Sequence, residues 1–524
     1  MDITNILACI GGIGLFLFGM TYMGEALKKC AGSQMKVFLT KVTSNPVKGF
    51  LVGLGVTMVI QSSTATNVMV LSFVNTGMME LTQSIPLMIG ANLGTTVTAW
   101  LISLGSINGA GLIFTLLKPA SFTPIICFIG ILLYKFIQRP RSKDVGAILL
   151  GFAMLMFGMT MMSSSMSGLS SVPGFMQLFN ALSNPFLGLL FGAAMAAIMQ
   201  SSSASVGVLQ ALAMAGGIQF SSVIPIIMGI NIGQVVPVLI ASAGTSLDAR
   251  RAAWIDLYLN AASAVVALPV YMILRATGNF PFDVVFATPV TIAICHTGYK
   301  LLTSVVELPA YKFFDMLGRL TIRGGGKSEK APLLDVRFMS TPSLALAQCR
   351  QRVGESIKAT NDSFAETLTL LDEWDQNKAK NVHRTEELVD WYQDEIDAYL
   401  AQLSTRSITQ KESVELSHLM HVIADYENIT DHIYHMVVAL NRLWEEGISF
   451  SKTAYAQIRE ISDYTTRVLK LSEKVFYDPD SKSAFKIISL GQRIVKACDK
   501  ARNSHMERLM AGEVRAPPTR VLRR

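Results

Sequence analysis

The sequence predicts an all-α polytopic membrane protein. Two inverted-topology repeats with re-entrant helical hairpins come first, and an antiparallel helical bundle follows. Three observations carry this. Charge is split unevenly: residues 1–315 hold 24 charged side chains, and residues 316–524 hold 59. The front part contains one pattern twice. The rear part has helical periodicity with no proline between Pro342 and Tyr477.

The front part is poor enough in charge for lipid, since soluble chains carry about 25% charged residues. A soluble globule, a secreted disulfide scaffold and a disordered chain are excluded. The net charge of +7 divides into +6 in the front and +1 in the rear. Basic residues beside apolar spans set topology, so no nucleic-acid partner is expected. The six cysteines (Cys9, Cys30, Cys127, Cys295, Cys349, Cys498) are scattered, which indicates neither a zinc site nor a disulfide framework.

Ile6–Met23 is the first apolar stretch. No basic segment precedes it, Lys28 and Lys29 follow it, and a near-copy recurs, so it reads as a transmembrane helix rather than a signal peptide. Phe18-Gly19-Met20-Thr21 recurs as Phe157-Gly158-Met159-Thr160, and Gln61-Ser62-Ser63 as Gln200-Ser201-Ser202. Asn45-Pro46 recurs as Asn184-Pro185, and Asn92 as Asn231, always 139 residues on. Residues 45–106 align with 184–245 without a gap at 18 identities, which marks a duplication. Two long apolar copies point to the halves of a transporter, because a solenoid needs more and shorter units.

Charges orient the copies. The loop after the first helix carries Lys28, Lys29, Lys36, Lys41 and Lys48, whereas the matching stretch 163–184 is uncharged. The connector (Lys135, Arg139, Arg141, Lys143) is basic, and Arg250-Arg251 stand where the first copy has the neutral 108–111. By the positive-inside rule the copies are inverted, each with an odd number of crossings. Residues 49–105 hold two apolar stretches, so one must be re-entrant. The first is interrupted by Gln61-Ser62-Ser63-Thr64-Ala65-Thr66-Asn67, and its leading arm Phe50–Ile60 reaches about 16 Å, half the hydrocarbon thickness. Phe50–Asn75 therefore reads as a hairpin with a polar midplane tip, and Phe186–Gly216 as its inverted twin. Trp100 and Trp254 fall near span ends as anchors, and a last span runs from Val284 to about Pro309. The expected divisions are repeat one at 1–139, repeat two at 140–283 and the final span at 284–319. A linker at 320–340 and the bundle at 341–524 complete the chain.

The tips are hydroxyl- and amide-rich: Ser62, Ser63, Thr64, Thr66 and Asn67 in one copy, Ser201, Ser202, Ser203 and Ser205 in the other. Ser, Thr and Asn cap helix N-termini, and free N–H groups with hydroxyls make an anion site without Lys or Arg. Hydroxyls, Gln carbonyls and loose main-chain carbonyls suit sodium, so one architecture serves both. Small polar residues also simply pack helices, but paired clusters in inverted copies favour the site. A second motif, Gly90-Ala91-Asn92-Leu93-Gly94-Thr95-Thr96-Val97-Thr98, recurs as Gly229-Ile230-Asn231-Ile232-Gly233-Gln234-Val235-Val236-Pro237. Its glycines suit either close packing or local unwinding, while Asn92 and Asn231 offer both donor and acceptor.

These paired motifs resemble the type II sodium/phosphate cotransporters, in particular their bacterial members. The resemblance covers both repeats. It implies a sodium-coupled carrier of inorganic phosphate, multi-pass in a bacterial inner membrane, and not an enzyme. It implies phosphate and sodium at the tips, Gln61 to Thr64 and Gln200 to Ser203, and with the polar residues around them phosphate is expected at Ser62, Ser63, Thr64, Asn67, Ser201, Ser202, Ser203, Asn92 and Asn231. Sodium is expected at Gln61, Thr66, Thr95, Thr96, Gln200 and Ser205. Gln234-Val235 departs from the expected Thr-Thr. His296-Thr297-Gly298-Tyr299-Lys300 departs from His-Thr-x-Phe-Asn, and Lys300 either snorkels or pairs with Glu307.

In the rear part Thr341-Pro342 opens a helix, and Leu419, Val422, Ile423, Tyr426, Ile429 and Ile433 make an apolar stripe. About five helices are expected. Glu386/Asp390 and Glu427/Asp431 are i,i+4 pairs, able to hold a metal ion or to form a solvated acidic face. The run Ile423–His432 resembles the E-x-x-x-D signature of PhoU-type phosphate-regulatory domains, with Thr430 where Gly is usual. This implies a cytoplasmic regulatory bundle with a candidate metal at Glu386, Asp390, Glu427 and Asp431. His432 and His435 read as surface residues. Expected partners are phosphate, sodium and the lipid bilayer, with a homodimer compatible; no organic cofactor is expected. A carrier of another small anion, or a non-transporting phosphate-signalling membrane protein, are the alternatives.

Overall fold

A computed structural model of the chain describes residues 3–40, 45–104, 119–166, 177, 181–215, 218–278, 285–324, 333–406 and 408–511. These are helical apart from turns and one isolated bridge between Gln219 and Phe286. They divide into two compact units, Met1–Thr341 and Pro342–Arg524.

The first unit contains α1 (Ile3–Thr40), α2 (Pro46–Ile60), α3 (Ser63–Asn75), α4 (Leu81–Gly94) and α5 (Thr96–Ser103). Then come α6 (Pro119–Phe136), α7 (Pro140–Met166), α8 (Pro185–Met199), α9 (Ser202–Met214), α10 (Phe220–Gly233) and α11 (Val236–Ala241). It closes with α12 (Leu247–Ala276), α13 (Pro289–Glu307) and α14 (Tyr311–Thr321). Among the described residues, five segments are long and apolar enough to cross a membrane: Ile3–Cys30, Leu81–Ser103, Arg141–Met166, Phe220–Ala241 and Leu247–Ala276. The chain is a multi-pass membrane protein.

The basic segment after the first span, expected as a loop, is helical to Thr40. Residues 24–40 are rich in Ala, Leu, Met, Lys and Gln, all strong helix formers, and no proline precedes Pro46. The expected start of the last span, Val284, lies outside the described residues, as do 108–111 and Gly216.

The duplication is visible contact by contact. Asn45 and Asn184 cap α2 and α8 with their side-chain oxygens, each followed by Pro at the first helical position. A Cβ on Gly90 would collide with the carbonyl of Phe50, and one on Gly229 with the carbonyl of Leu189. Both pairs lie 139 residues apart. Only glycine lets α4 rest on α2, and α10 on α8, at backbone distance. The motif glycines are therefore packing residues, and the unwinding falls one step later, at the break between α4 and α5. The Phe-Gly-Met-Thr copies do the same for α1 and α7. Gly19 meets Leu155 and Gly151, while Gly158 meets Phe16 and Gly12. Rising numbers on one helix face falling numbers on the other, so the matched first helices of the two copies run antiparallel.

The second unit comprises α15 (Pro342–Thr369), α16 (Gln376–Ser404), α17 (Gln410–Glu445), α18 (Lys452–Tyr477) and α19 (Ser481–Met510). Leu419, Ile423, Tyr426 and Ile433 are its buried stripe on α17, with Val422 and Ile429 half-buried beside them. Thr430, buried in the same stripe, shares a 2.8 Å hydroxyl bond with Thr360 of α15.

Candidate functional site

Each Gln-Ser-Ser motif breaks a helix in the same way. Gln61 (φ 59°) and Gln200 (φ 53°) end α2 and α8 in the left-handed region. They are the only non-glycine residues with positive φ among the described residues. Such a conformation costs about 1–2 kcal/mol, so the surroundings must hold it. The next residue restarts the chain as a helix. Ser62 accepts from the Ala65 N–H at 3.2 Å, and Ser201 from the Ala204 N–H at 3.2 Å. The expected leading arm is longer than its apolar run, because Asn45-Pro46 starts α2 four residues before Phe50.

Around the first tip the side chains interlock. Thr98 donates to Gln61 Oε1 at 2.7 Å, and the Gln61 amide donates to the Met58 carbonyl. Thr57 donates to Thr66 Oγ1 at 2.9 Å, and Thr66 to the Ser62 carbonyl at 3.0 Å. Ser63 donates to Gln234 Oε1 at 3.2 Å, which ties the tip to the second copy. Asn67 donates to Asp256 Oδ2 at 2.9 Å. Ser63, Thr66 and Asn67 are buried, whereas Ser62 and Thr64 are partly open.

The second tip differs. Ser202, Ser203 and Ser205 are buried and Ser201 is partly open, but Gln200 is exposed. Its counterpart Gln61 is held by Thr98, and the residue matching Thr98 is Pro237, which has no hydroxyl to offer. Likewise Gln234 reaches Ser63, while its match Thr95 is too short and donates to its own helix at Ala91 O. Thr96 bonds back to Leu93 O, Ser205 to Ser201 O and Asn231 to Ile227 O. The Oδ1 atoms of Asn67, Asn92 and Asn231 are buried with no hydrogen-bond partner.

Lys300 does not snorkel and does not end a span as an anchor. It is 3% exposed, and its Nζ donates to Asn260 Oδ1 at 3.1 Å. Asn260 also accepts from Gln234 Nε2 at 3.1 Å. Asp256 and Asn260 were not among the expected site residues. The available signal was Asp256 itself, an ionisable residue inside a 30-residue apolar helix. Trp100 and Trp254 are exposed, and Trp100 donates to Thr297 at 2.9 Å.

In the bundle, burial pushes the Glu427 carboxyl above its ordinary pKa, helped by the negative charges of Asp431, Asp390 and Glu386. The four acids thus share one neighbourhood. Among the described residues, however, no group of three or more His, Cys, Asp or Glu side chains is set to hold a metal ion. His432 and His435 are exposed.

Two broken helices with polar tips are repeated inside a multi-pass helical unit, and the family that the sequence matches is one of membrane transporters, not of enzymes. The chain belongs to the Na+/Pi-cotransporter family, whose profile matches residues 15–164 and 165–281, and a PhoU domain matches residues 354–439. Two relatives named for inorganic phosphate export, YjbB of Salmonella typhimurium and YjbB of Escherichia coli K12, are each 22% identical. Each alignment covers 99% of this chain and 93% of the relative. The sodium-dependent phosphate transport protein 2A of Rattus norvegicus is 33% identical over 99 residues, 18% of this chain and 15% of its own. No solved structure matches.

Proposed function

We propose that this protein couples phosphate movement to sodium, binding both near the membrane midplane between its two Gln-Ser-Ser tips. The carrying observation is the pair of left-handed breaks at Gln61 and Gln200, each followed by a serine-capped helix N-terminus. N–H groups and hydroxyls of Ser62, Ser63, Thr64, Ser201, Ser202 and Ser203 suit a phosphate oxyanion. The buried Asn67, Asn92 and Asn231 oxygens add acceptors for its protons. Gln61, Thr66, Thr95, Thr96, Gln200 and Ser205 supply oxygens for sodium. The charge pattern of the loops supports a cytoplasmic position for the C-terminal bundle, and the PhoU match supports a regulatory role for it.

Net direction follows the larger gradient; the relatives spanning the whole chain are named for export. Radiolabelled phosphate flux in proteoliposomes, with and without a sodium gradient, tests the reading. Sodium-stimulated flux is expected, and absent or sodium-independent flux would sink it.

A further inference from the structure

Within the first unit, α12 and α13 present buried polar stripes that the tips do not account for. On α13 every buried residue from His296 onward is polar: His296, Lys300, Ser304 and Glu307. Their spacing keeps them on one helix face. On α12, Asp256, Asn260 and Ser263 are buried at matching spacing. Two hydrogen bonds cross between the helices: Lys300 to Asn260, and Ser263 to a Glu307 carboxylate oxygen.

The charges here do not balance. Asp256 and Glu307 are two carboxyl groups, and Lys300, which acts electrostatically on both, is the single ammonium. The surrounding helices α3, α4, α5, α9, α10 and α11 contain no Asp, Glu, Lys, Arg or His. Arg251, earlier on α12, is engaged by Asp248 and by the carbonyls of Ile322 and Gly324. On α14, Asp315 pairs with Arg319, and Lys312 is exposed. Both ring nitrogens of His296 are buried with no hydrogen-bond partner. Full ionisation of Asp256, Glu307 and Lys300 would therefore leave one net negative charge within this buried cluster, which is strongly disfavoured.

A cation relieves this, and the hydrogen bonds indicate where it goes. Both Asp256 oxygens already accept amide N–H groups, from Asn67 and Asn260, which favours the ionised form. Glu307 accepts a hydroxyl from Ser263 and ends α13, where the chain turns into α14. We propose that Glu307, set beside Lys300 and Asp256, is a proton-binding site whose occupancy is coupled to the transport cycle. The carboxylate takes a proton from water and returns it to water; no other bond changes. A continuous chain of hydrogen bonds, Lys300–Asn260–Gln234–Ser63, connects the cluster to the first tip. Such intramembrane acids mark proton relays.

The inference rests on the transport reading, and the experiment separates the two. Phosphate flux into proteoliposomes of the full chain is measured from about pH 5.5 to about pH 8.5, over a series of sodium concentrations at each pH. The ratio of Glu307→Gln to wild type cancels the protonation of phosphate itself. That ratio should change by about tenfold across the range. Glu307→Asp should keep the wild-type step, and Lys300→Gln should move it to higher pH. A flat ratio would overturn the inference. So would a uniform change in sodium half-saturation at every pH, which would make the cluster a sodium site. Should Glu307→Gln not fold, an unmoved step in Lys300→Gln overturns it instead. Melting of detergent-solubilised protein decides even where no flux is found. The wild type should lose stability relative to Glu307→Gln as pH rises, and a pH-independent difference overturns the assignment.

Discussion

The hydroxyl of Ser63 donates to the side-chain carbonyl of Gln234 across 171 positions of sequence, at 3.2 Å. It joins the first tip to the segment that departs most from the repeated motif. Replacing Gln234 by Leu would strip both Ser63 and Asn260 of a buried partner. A loss of about 1–3 kcal/mol in stability is expected, read as a lower melting temperature in detergent, together with reduced flux. Unchanged melting and flux would show the link to be idle.

Gln61 depends on Thr98 for its orientation. Thr98→Val should free the glutamine and raise the sodium concentration for half-maximal flux, whereas Thr98→Ser keeps the hydroxyl and should behave as wild type. Equal sodium dependence in both variants would remove Gln61 from sodium binding.

The glycine contacts predict a sharp contrast. Gly90→Ala and Gly229→Ala press a methyl into a facing carbonyl and should cost at least about 1–3 kcal/mol. Gly55, on α2, has nothing within 4 Å of a built Cβ. Gly55→Ala should be neutral or stabilising by up to about 1 kcal/mol, as alanine is the better helix former. Melting temperatures of the three variants check this.

In the bundle, Glu427 binds its proton more tightly when folded, because of burial and the acids Asp431, Asp390 and Glu386. Its contribution to stability is therefore full below the ordinary glutamate pKa and is lost as pH rises through the raised value. Glu427→Gln should stabilise α17 at neutral pH, and the gain should vanish in acid. Hydrogen exchange of α17 in the full chain, at pH 7 and near pH 4, measures this. A gain that is the same at both would refute the repulsion.

Much of the fold was legible because it is local. Gln-Ser-Ser interrupts an apolar run, Asn-Pro starts a helix, and the spacing of Leu419, Ile423, Tyr426 and Ile433 lays down a buried stripe. Each signal sits within a few residues of its consequence. The duplication extended this reach, since one interval of 139 residues predicts which tips, caps and glycines correspond. Lys300 shows the limit. Its spacing to Glu307 was visible, yet its hydrogen bond goes to Asn260 on another helix.

Residue order alone carries the two copies, their polar tips, the membrane class and the C-terminal helices. Tertiary structure decided which tip is tied down and where the intramembrane charges lie. The reason is side-chain length across packed helices. Gln234 spans a gap that Thr95 cannot, Thr98 offers a hydroxyl that Pro237 lacks, and Asn260 receives Lys300. Composition and spacing hold no record of which helices come within a hydrogen bond of one another.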